Sequence, residues 1–503
     1  MARRIDQLLS ATATDRGGRR GVVGASFFSM STRLAQVSLQ FLTIIILARF
    51  LVPADFGIYG MVTPLIAFFL VLRDAGLGIA TLQSATLSER QASTLFYANM
   101  LVGIVLGGLF VLSAPAVAYF YNESRLTDLI RAFTILFLFS GIRVQLEALV
   151  YRGFRFQAVF VMEIAASSIA LFVSAAIAIG GFGYWALCVR QLAYEVVYTS
   201  SLLIYVRWFP RFFSMDIGTR SLFKFGVSAA VSNFIVYFLR NIDNVLIGWR
   251  LGPAALGPYA LAYRTVLLPI QQVVTPLSRV FIPHLSQQRE DPAGFAKSYS
   301  NALKVMMFLV GPPLCAAIVC TNEAIQILLG PKWREAVPII QCLIPAGILQ
   351  VAYLSAGWIN FARGRADRQL WWSALSLPVV VGGFVIGLNW GPIGVAASYS
   401  ISNTILLVPL FAYAIRDTAI TPQLMLRAVA PAAANSAIVV ALGYWVRSTA
   451  HIFNLSDGLL LIAVGLLTVL TMALFSPLVF GLHNLLKMAS KVKGRLSAEK
   501  QPV

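Results

Sequence analysis

The chain has 503 residues, 58% of them hydrophobic and 12% charged, with a formal net charge of +19. Soluble domains carry about 25% charged residues, so an ordinary soluble protein is excluded. The positive charge suggests nucleic acid as a partner. However, the basic residues sit in short clusters between apolar stretches, which is the pattern of a membrane topology signal and implies no nucleic acid.

The first 21 residues form a basic segment containing Arg3, Arg4, Arg16, Arg19 and Arg20. The apolar run that follows, from about Gly21 to Leu51, is too long for a cleaved signal peptide. Apolar stretches of about 20 residues then recur almost to the C-terminus, predicting an all-α polytopic membrane protein. A β-barrel would show short alternating segments instead.

Spans are predicted over 22–48, 57–73, 95–120, 129–150, 157–180, 183–206, 223–248, 256–284, 300–325, 337–361, 369–389, 391–415, 425–446 and 456–482. Fourteen spans return both termini to one side. Of the 39 lysines and arginines, 27, Arg143 among them, then fall on the terminal side, 7 on the other, and five lie deep within spans. By the positive-inside rule both termini are cytoplasmic, and one missed span would scramble that asymmetry. A twelve-span count is the alternative. The organisation expected is an N-terminal bundle over 22–206, a linker over 207–222 and a second bundle over 223–415. Two extra spans over 425–482 and a basic tail over 483–503 complete it.

In the first span Ser26, Ser29, Arg33, Gln36, Gln40 and Thr43 alternate in steps of three and four, which places them on one helix face. Directly after it comes "LVPADFGIY" from Leu51, echoed by "LGPAALGPY" from Leu251. Leu, Pro, Ala, Gly and Tyr coincide at one offset of 200, so spans one and two read as copied by spans seven and eight. The alternative is that turns rich in Pro and Gly look alike. Parallel repeats of this kind relate by an axis along the membrane normal and recur in transporters.

In the fifth and sixth spans Glu163, Arg190 and Glu195 lie in apolar surroundings, and Arg190 and Glu195 read as a structural pair. The seventh span carries Asn233, Tyr237, Arg240 and Asn244 on one face, with Asn241 and Asp243 beside them. A lipid-facing arginine at such depth costs a few kcal/mol, so these faces point at protein or at a watery cavity. A purely structural alternative pairs Arg240 with Asp243 at i,i+3. The eighth span adds Arg264, Gln271, Gln272 and Arg279, together with Pro269, Pro276 and Pro283, which predict a kinked or loosened helix. The ninth contains "GPP" from Gly311.

Arg33, Arg240, Arg264 and Arg279 against Asp243 leave the proposed cavity cationic. Guanidinium groups suit bidentate contacts to phosphate oxygens, so an anionic headgroup with its tail left in membrane lipid fits this face. The candidate substrate-binding residues are therefore Arg33, Gln36, Gln40, Asn233, Tyr237, Arg240, Asp243, Asn244, Arg264 and Gln271. Cys188, Cys315, Cys320 and Cys342 are scattered, and His284, His451 and His483 lie far apart, so neither a metal nor another cofactor is implied.

The chain resembles the polysaccharide transporter (Wzx-type flippase) branch of the multidrug/oligosaccharidyl-lipid/polysaccharide exporter superfamily. The resemblance is carried by "RFLVPADFGIYGMV" from Arg49, "DAGLGIATLQ" from Asp74 and "RNIDNVLIG" from Arg240. It continues in "LGPYALAYRTVLLPIQQVVTPLSRVFIPHLSQ" from Leu256 and "LLGPKWREAVPIIQCL" from Leu328. It implies two pseudo-symmetric six-helix bundles around a central cavity, with two further C-terminal helices. It also implies a flippase in the bacterial inner membrane that moves undecaprenyl-diphosphate-linked oligosaccharide to the periplasmic leaflet for exopolysaccharide, capsule or O-antigen synthesis. The resemblance also implies substrate-binding cavity arginines on spans one, seven and eight, and Arg33, Arg240 and Arg264 are the positions here that could carry that role. A polysaccharide polymerase and a chain-length regulator are the protein partners such a role implies. The competing readings are a multidrug or small-metabolite exporter of the same superfamily and a membrane polymerase or ligase. An enzyme of the latter kind calls for a sizeable periplasmic loop with acid/base groups, whereas the loops here are short and hold one histidine, His451.

Overall fold

The computed structural model describes the backbone of residues 19–73, 78, 81, 87–153, 155–208, 210, 241–452 and 456–480. Side chains are described from residue 35 onward, except at 71, 268, 269, 271–273, 276, 279, 366 and 451. Among these residues all regular structure is helical. The order is α1 (Arg19–Phe50), α2 (Pro53–Arg73), α3 (Glu89–Tyr121), α4 (Arg125–Arg152), α5 (Phe156–Ile179) and α6 (Trp185–Val206). There follow α7 (Ile242–Gln287), α8 (Pro292–Leu328), α9 (Ala336–Ala362), α10 (Ala366–Gly387), α11 (Gly391–Ala414), α12 (Pro422–Ile452) and α13 (Asp457–Phe480).

Each described helix overlies a predicted span, and α7 overlies two. Gly252, with φ 79° and ψ −178°, breaks α7. Residues 242–251 thus end the seventh predicted span, most of which lies outside the described residues. The eighth span contains the three prolines. The α7 backbone stays helical through Pro269, Pro276 and Pro283, and Gly252 is the sole residue in it with non-helical dihedrals. Neighbouring helices in a membrane bundle can hold a proline-containing helix together in this way. The chain is a multi-pass membrane protein. Nine of its described helical segments are long and apolar enough to cross a bilayer, and side chains such as Leu112, Val408 and Leu474 are exposed where lipid tails would cover them.

Local signals set the helix ends. Ser88 and Gln91 form a capping box at the start of α3, and Asn122 closes that helix in the left-handed conformation. Asp291 caps α8 by accepting the Gly294 N–H at 3.0 Å.

The chain divides into two compact units, Met1–Ala260 and Leu261–Val503. Residues 242–260, which the repeat assigns to the second bundle, pack within the first unit. The reason lies in the repeated motif itself. A Cβ added at Gly57 would come within 3.0 Å of the Pro253 carbonyl group, and one at Gly257 within 3.0 Å of the Pro53 carbonyl oxygen. The two copies therefore interlock reciprocally, each glycine receiving the other copy's proline carbonyl. Only a residue without a side chain permits that approach. Asp55, present in the first copy only, accepts the Val52 N–H at 3.1 Å and the Tyr184 N–H at 3.0 Å, and so ties the starts of α2 and α6 together.

In the second unit α12 and α13 pack on α8 through Val319, Cys320, Ala450, Leu460 and Val464. Arg447 on α12 reaches Glu323 on α8 at 2.8 Å and donates to the Val319 carbonyl at 3.0 Å. The last two spans are thus joined to the fold by a buried ion pair as well as by apolar contact.

The interlock yields a stability test. Gly257→Ala must displace backbone, at about 1–3 kcal/mol by the usual cost of overpacking. A lower midpoint of thermal unfolding in detergent is expected for Gly257→Ala and for Gly57→Ala. Gly465→Ala, where the added methyl meets open space, should leave the midpoint unchanged.

Candidate functional site

The polar faces predicted from the sequence fall on helices that meet other polar groups. On α1, Gln36 donates its side-chain amide to the Glu163 carboxylate on α5. Gln40, one turn further on, is half-buried. Thr43 is buried and returns its hydroxyl to the Leu39 carbonyl at 2.7 Å. Arg33 lies on the same helix, with its side chain outside the described residues.

Asn233, Tyr237 and Arg240 lie outside the described residues, and with them the proposed i,i+3 partner of Asp243. Asp243 itself is 2% exposed. Its carboxylate accepts the Tyr259 hydroxyl at 2.8 Å and the Asn244 backbone N–H at 2.8 Å. Two donors from the protein thus hold the carboxylate. Asn244 is half-buried, and its amide also approaches Asp243 at 3.4 Å. Under the offset of 200, Tyr259 corresponds to Tyr59 and Asp243 to Thr43. The second copy thus holds a carboxylate where the first holds a hydroxyl.

Arg264 belongs to the second unit and is half-buried on α7. Gln271 follows on the same helix, with its side chain outside the described residues. The structure therefore brings together Gln36 with Glu163 and Asp243 with Asn244.

One polar cluster was not anticipated. Arg143 on α4 donates its Nε to Glu195 on α6 at 2.8 Å and its Nη1 to Glu147 at 2.9 Å. Its guanidinium lies 5.7 Å from the centre of the Tyr198 ring, which in turn stacks on Tyr194. Two expectations change. Arg143 is engaged within the bundle, about 13 Å of helix before the end of α4, so it does not mark a loop. Glu195 pairs with Arg143, not with Arg190. Residues five apart on a helix point about 140° away from each other, whereas the i,i+4 spacing of Arg143 and Glu147 in "GIRVQLEALV" is the spacing that brings side chains together. That spacing was the available signal.

Chemically, the first unit offers carboxylates, amides and tyrosines inside membrane-crossing helices. Such groups are costly in lipid and are retained where they face protein, water or a polar solute.

The family described as polysaccharide biosynthesis protein matches residues 46–338. The chain is 30% identical over 365 residues to the teichuronic acid biosynthesis protein TuaB of Bacillus subtilis, covering 70% of this chain and 73% of that one. It is 26% identical over 367 residues to the succinoglycan biosynthesis transport protein ExoT of Rhizobium meliloti, covering 72% and 73%. Among solved structures, the lipid II flippase MurJ in its inward closed conformation superposes with a TM-score of 0.68 at 15% identity. That match covers 90% of this chain and 98% of MurJ, and it shows a shared fold.

The Arg143 cluster predicts that Arg143→Met will destabilise the protein by about 3 kcal/mol, because it leaves Glu195 buried without its guanidinium. Adding Glu195→Gln to that variant should recover part of the loss. Thermal unfolding of the three proteins in detergent measures both effects, and an unchanged midpoint for Arg143→Met would show that the pair contributes nothing.

Proposed function

The chain belongs to the polysaccharide biosynthesis protein family, and from that premise we propose that it is a flippase for a lipid-linked oligosaccharide. The cargo is a polyprenyl-diphosphate-linked repeat unit, moved from the cytoplasmic to the periplasmic leaflet of the bacterial inner membrane. The protein works as a transporter and not as an enzyme, and both of its termini are cytoplasmic. A polymerase and a chain-length regulator would receive the delivered unit.

One observation carries this reading beyond family membership. Polar and charged side chains recur along α1, α5, α6 and α7, and among these α5 is long and apolar enough to cross a bilayer. A passage for a sugar headgroup needs such groups, while the lipid tail needs none and stays in the bilayer.

In this proposal Arg33, Arg240 and Arg264 engage the diphosphate, because planar guanidinium groups match its oxygens in pairs. Gln36, Gln40, Asn233, Tyr237, Asn244 and Gln271 offer hydrogen bonds to sugar hydroxyls and to the water that accompanies them. Asp243 does not face the cargo as Tyr259 and Asn244 hold it. Its role is to fix the end of the seventh span against the start of the eighth.

Arg33→Ala combined with Arg240→Ala should leave the protein expressed and inserted while cutting polysaccharide export. Arg240→Lys should restore export only in part, because an ammonium keeps the charge and loses the bidentate fork. Export measured in cells beside protein level in membranes separates these cases. Full export from the double alanine variant would remove the arginines from cargo binding.

A further inference from the structure

The arginines on the terminal side of the second unit are not evenly spread. Arg363 and Arg365 flank Gly364 at the end of α9. Gly364 has φ +71°, and the turn closes with the Arg365 N–H on the Asn360 carbonyl at 2.9 Å. Arg363 extends to the Arg416 backbone carbonyl beyond α11, at 3.2 Å. Arg289, from the turn before α8, places its Nη1 3.8 Å from where a Gly364 Cβ would stand. Arg368, in the first turn of α10, meets Asp417 at 3.0 Å and lies 5.7 Å from the centre of the Tyr413 ring. Arg365 approaches the same aspartate at 3.8 Å.

Five arginines thus converge where, among the described residues, Asp417 is the one carboxylate in ion-pair contact with them. Asp367, Glu290 and Asp291 are neighbours in sequence, and Asp291 caps α8. Crowding is evident at Arg363. Partial burial, with Arg365, Arg368 and Arg289 close by, leaves its guanidinium holding its proton less tightly than usual. The bond from Arg368 holds Asp417 below the usual carboxylate range, so Asp417 stays ionised and its single charge is already counted. Arg368 nevertheless keeps a buried Nη1 with no hydrogen-bond partner, on a side chain only 17% exposed. Arg365, at 43%, presents its guanidinium to the outside, and a phosphate oxygen is the natural complement of such a group.

The surroundings identify the source of that phosphate. Phe361, Leu370 and Trp371 are exposed on the helix ends beside the arginines, with Trp371 at 72%. An exposed indole next to arginines at a helix end is the composition of a membrane interface, where headgroup and acyl chain meet. A soluble phosphate would have no use for the apolar half.

We propose that Arg289, Arg363, Arg365, Arg368 and Arg416 form a binding site for the phosphate of an anionic phospholipid in the leaflet on the terminal side of the membrane. The lipid phosphate sits among the guanidinium groups and its chains run along α9 and α10 beside Phe361 and Trp371. The site lies within the second unit and does not depend on the flippase reading.

The test uses the full-length protein, stripped of lipid in a neutral detergent. Phosphatidylglycerol, phosphatidylcholine and inorganic pyrophosphate are titrated separately, with binding followed by native mass spectrometry. Phosphatidylglycerol should bind well ahead of phosphatidylcholine. Arg289→Gln with Arg365→Gln should weaken its binding on the order of 10-fold. Removing equal charge elsewhere on the same side, with Arg90→Gln and Arg155→Gln, should change little. Arg365 is 43% exposed, so Arg365→Gln alone remains testable if the double variant is unstable, with a smaller loss expected. Three results would overturn the site: equal binding of the two lipids, an equal loss from the Arg90 and Arg155 pair, or pyrophosphate binding as tightly as phosphatidylglycerol.

Discussion

A polar side chain inside a bilayer has no water to turn to, so its partner must come from the protein or from what the protein carries. That constraint organises this molecule. Arg143 joins α4 to α6 through Glu195, Gln36 joins α1 to α5 through Glu163, and Arg447 joins α12 to α8 through Glu323. Asp243 and Tyr259 do the same across the break at Gly252. Apolar contact alone would let helices slide or rotate against one another, because lipid tails are as apolar as leucine. Buried polar pairs fix which helix faces meet.

The repeat shows how one scaffold comes to hold two chemistries. Its two copies meet through the same pair of groups, a glycine and a proline carbonyl, taken in both directions. Elsewhere they have diverged. Asp55 anchors the first copy to α6 where the second has Ala255, while Asp243 is a buried carboxylate where the first has Thr43. A symmetric contact is thereby kept between two copies of one motif that differ at these polar positions.

The helices were legible in the sequence because about 20 apolar residues bounded by caps and charges leave few alternatives. The repeat was legible too, since five of its positions coincide at one offset, although its reciprocal packing was not. Which carboxylate a given arginine meets depends on helix rotation and neighbour order, and neither is written in one helix. Arg143 therefore looked like a topology residue, and Glu195 was assigned to Arg190. The bond from Tyr259 to Asp243 was not legible either, because Tyr259 lies beyond the break at Gly252.

The central claim is that this chain carries a lipid-linked oligosaccharide across a membrane. The direct measurement reconstitutes the purified protein in liposomes with a fluorescent polyprenyl-diphosphate oligosaccharide. A membrane-impermeant quencher then reports how much label is reachable from outside. The account predicts that about half is reachable in protein-free vesicles and nearly all once the protein is present, as inner-leaflet cargo crosses to meet the quencher. A reachable fraction that stays the same with and without the protein would contradict it.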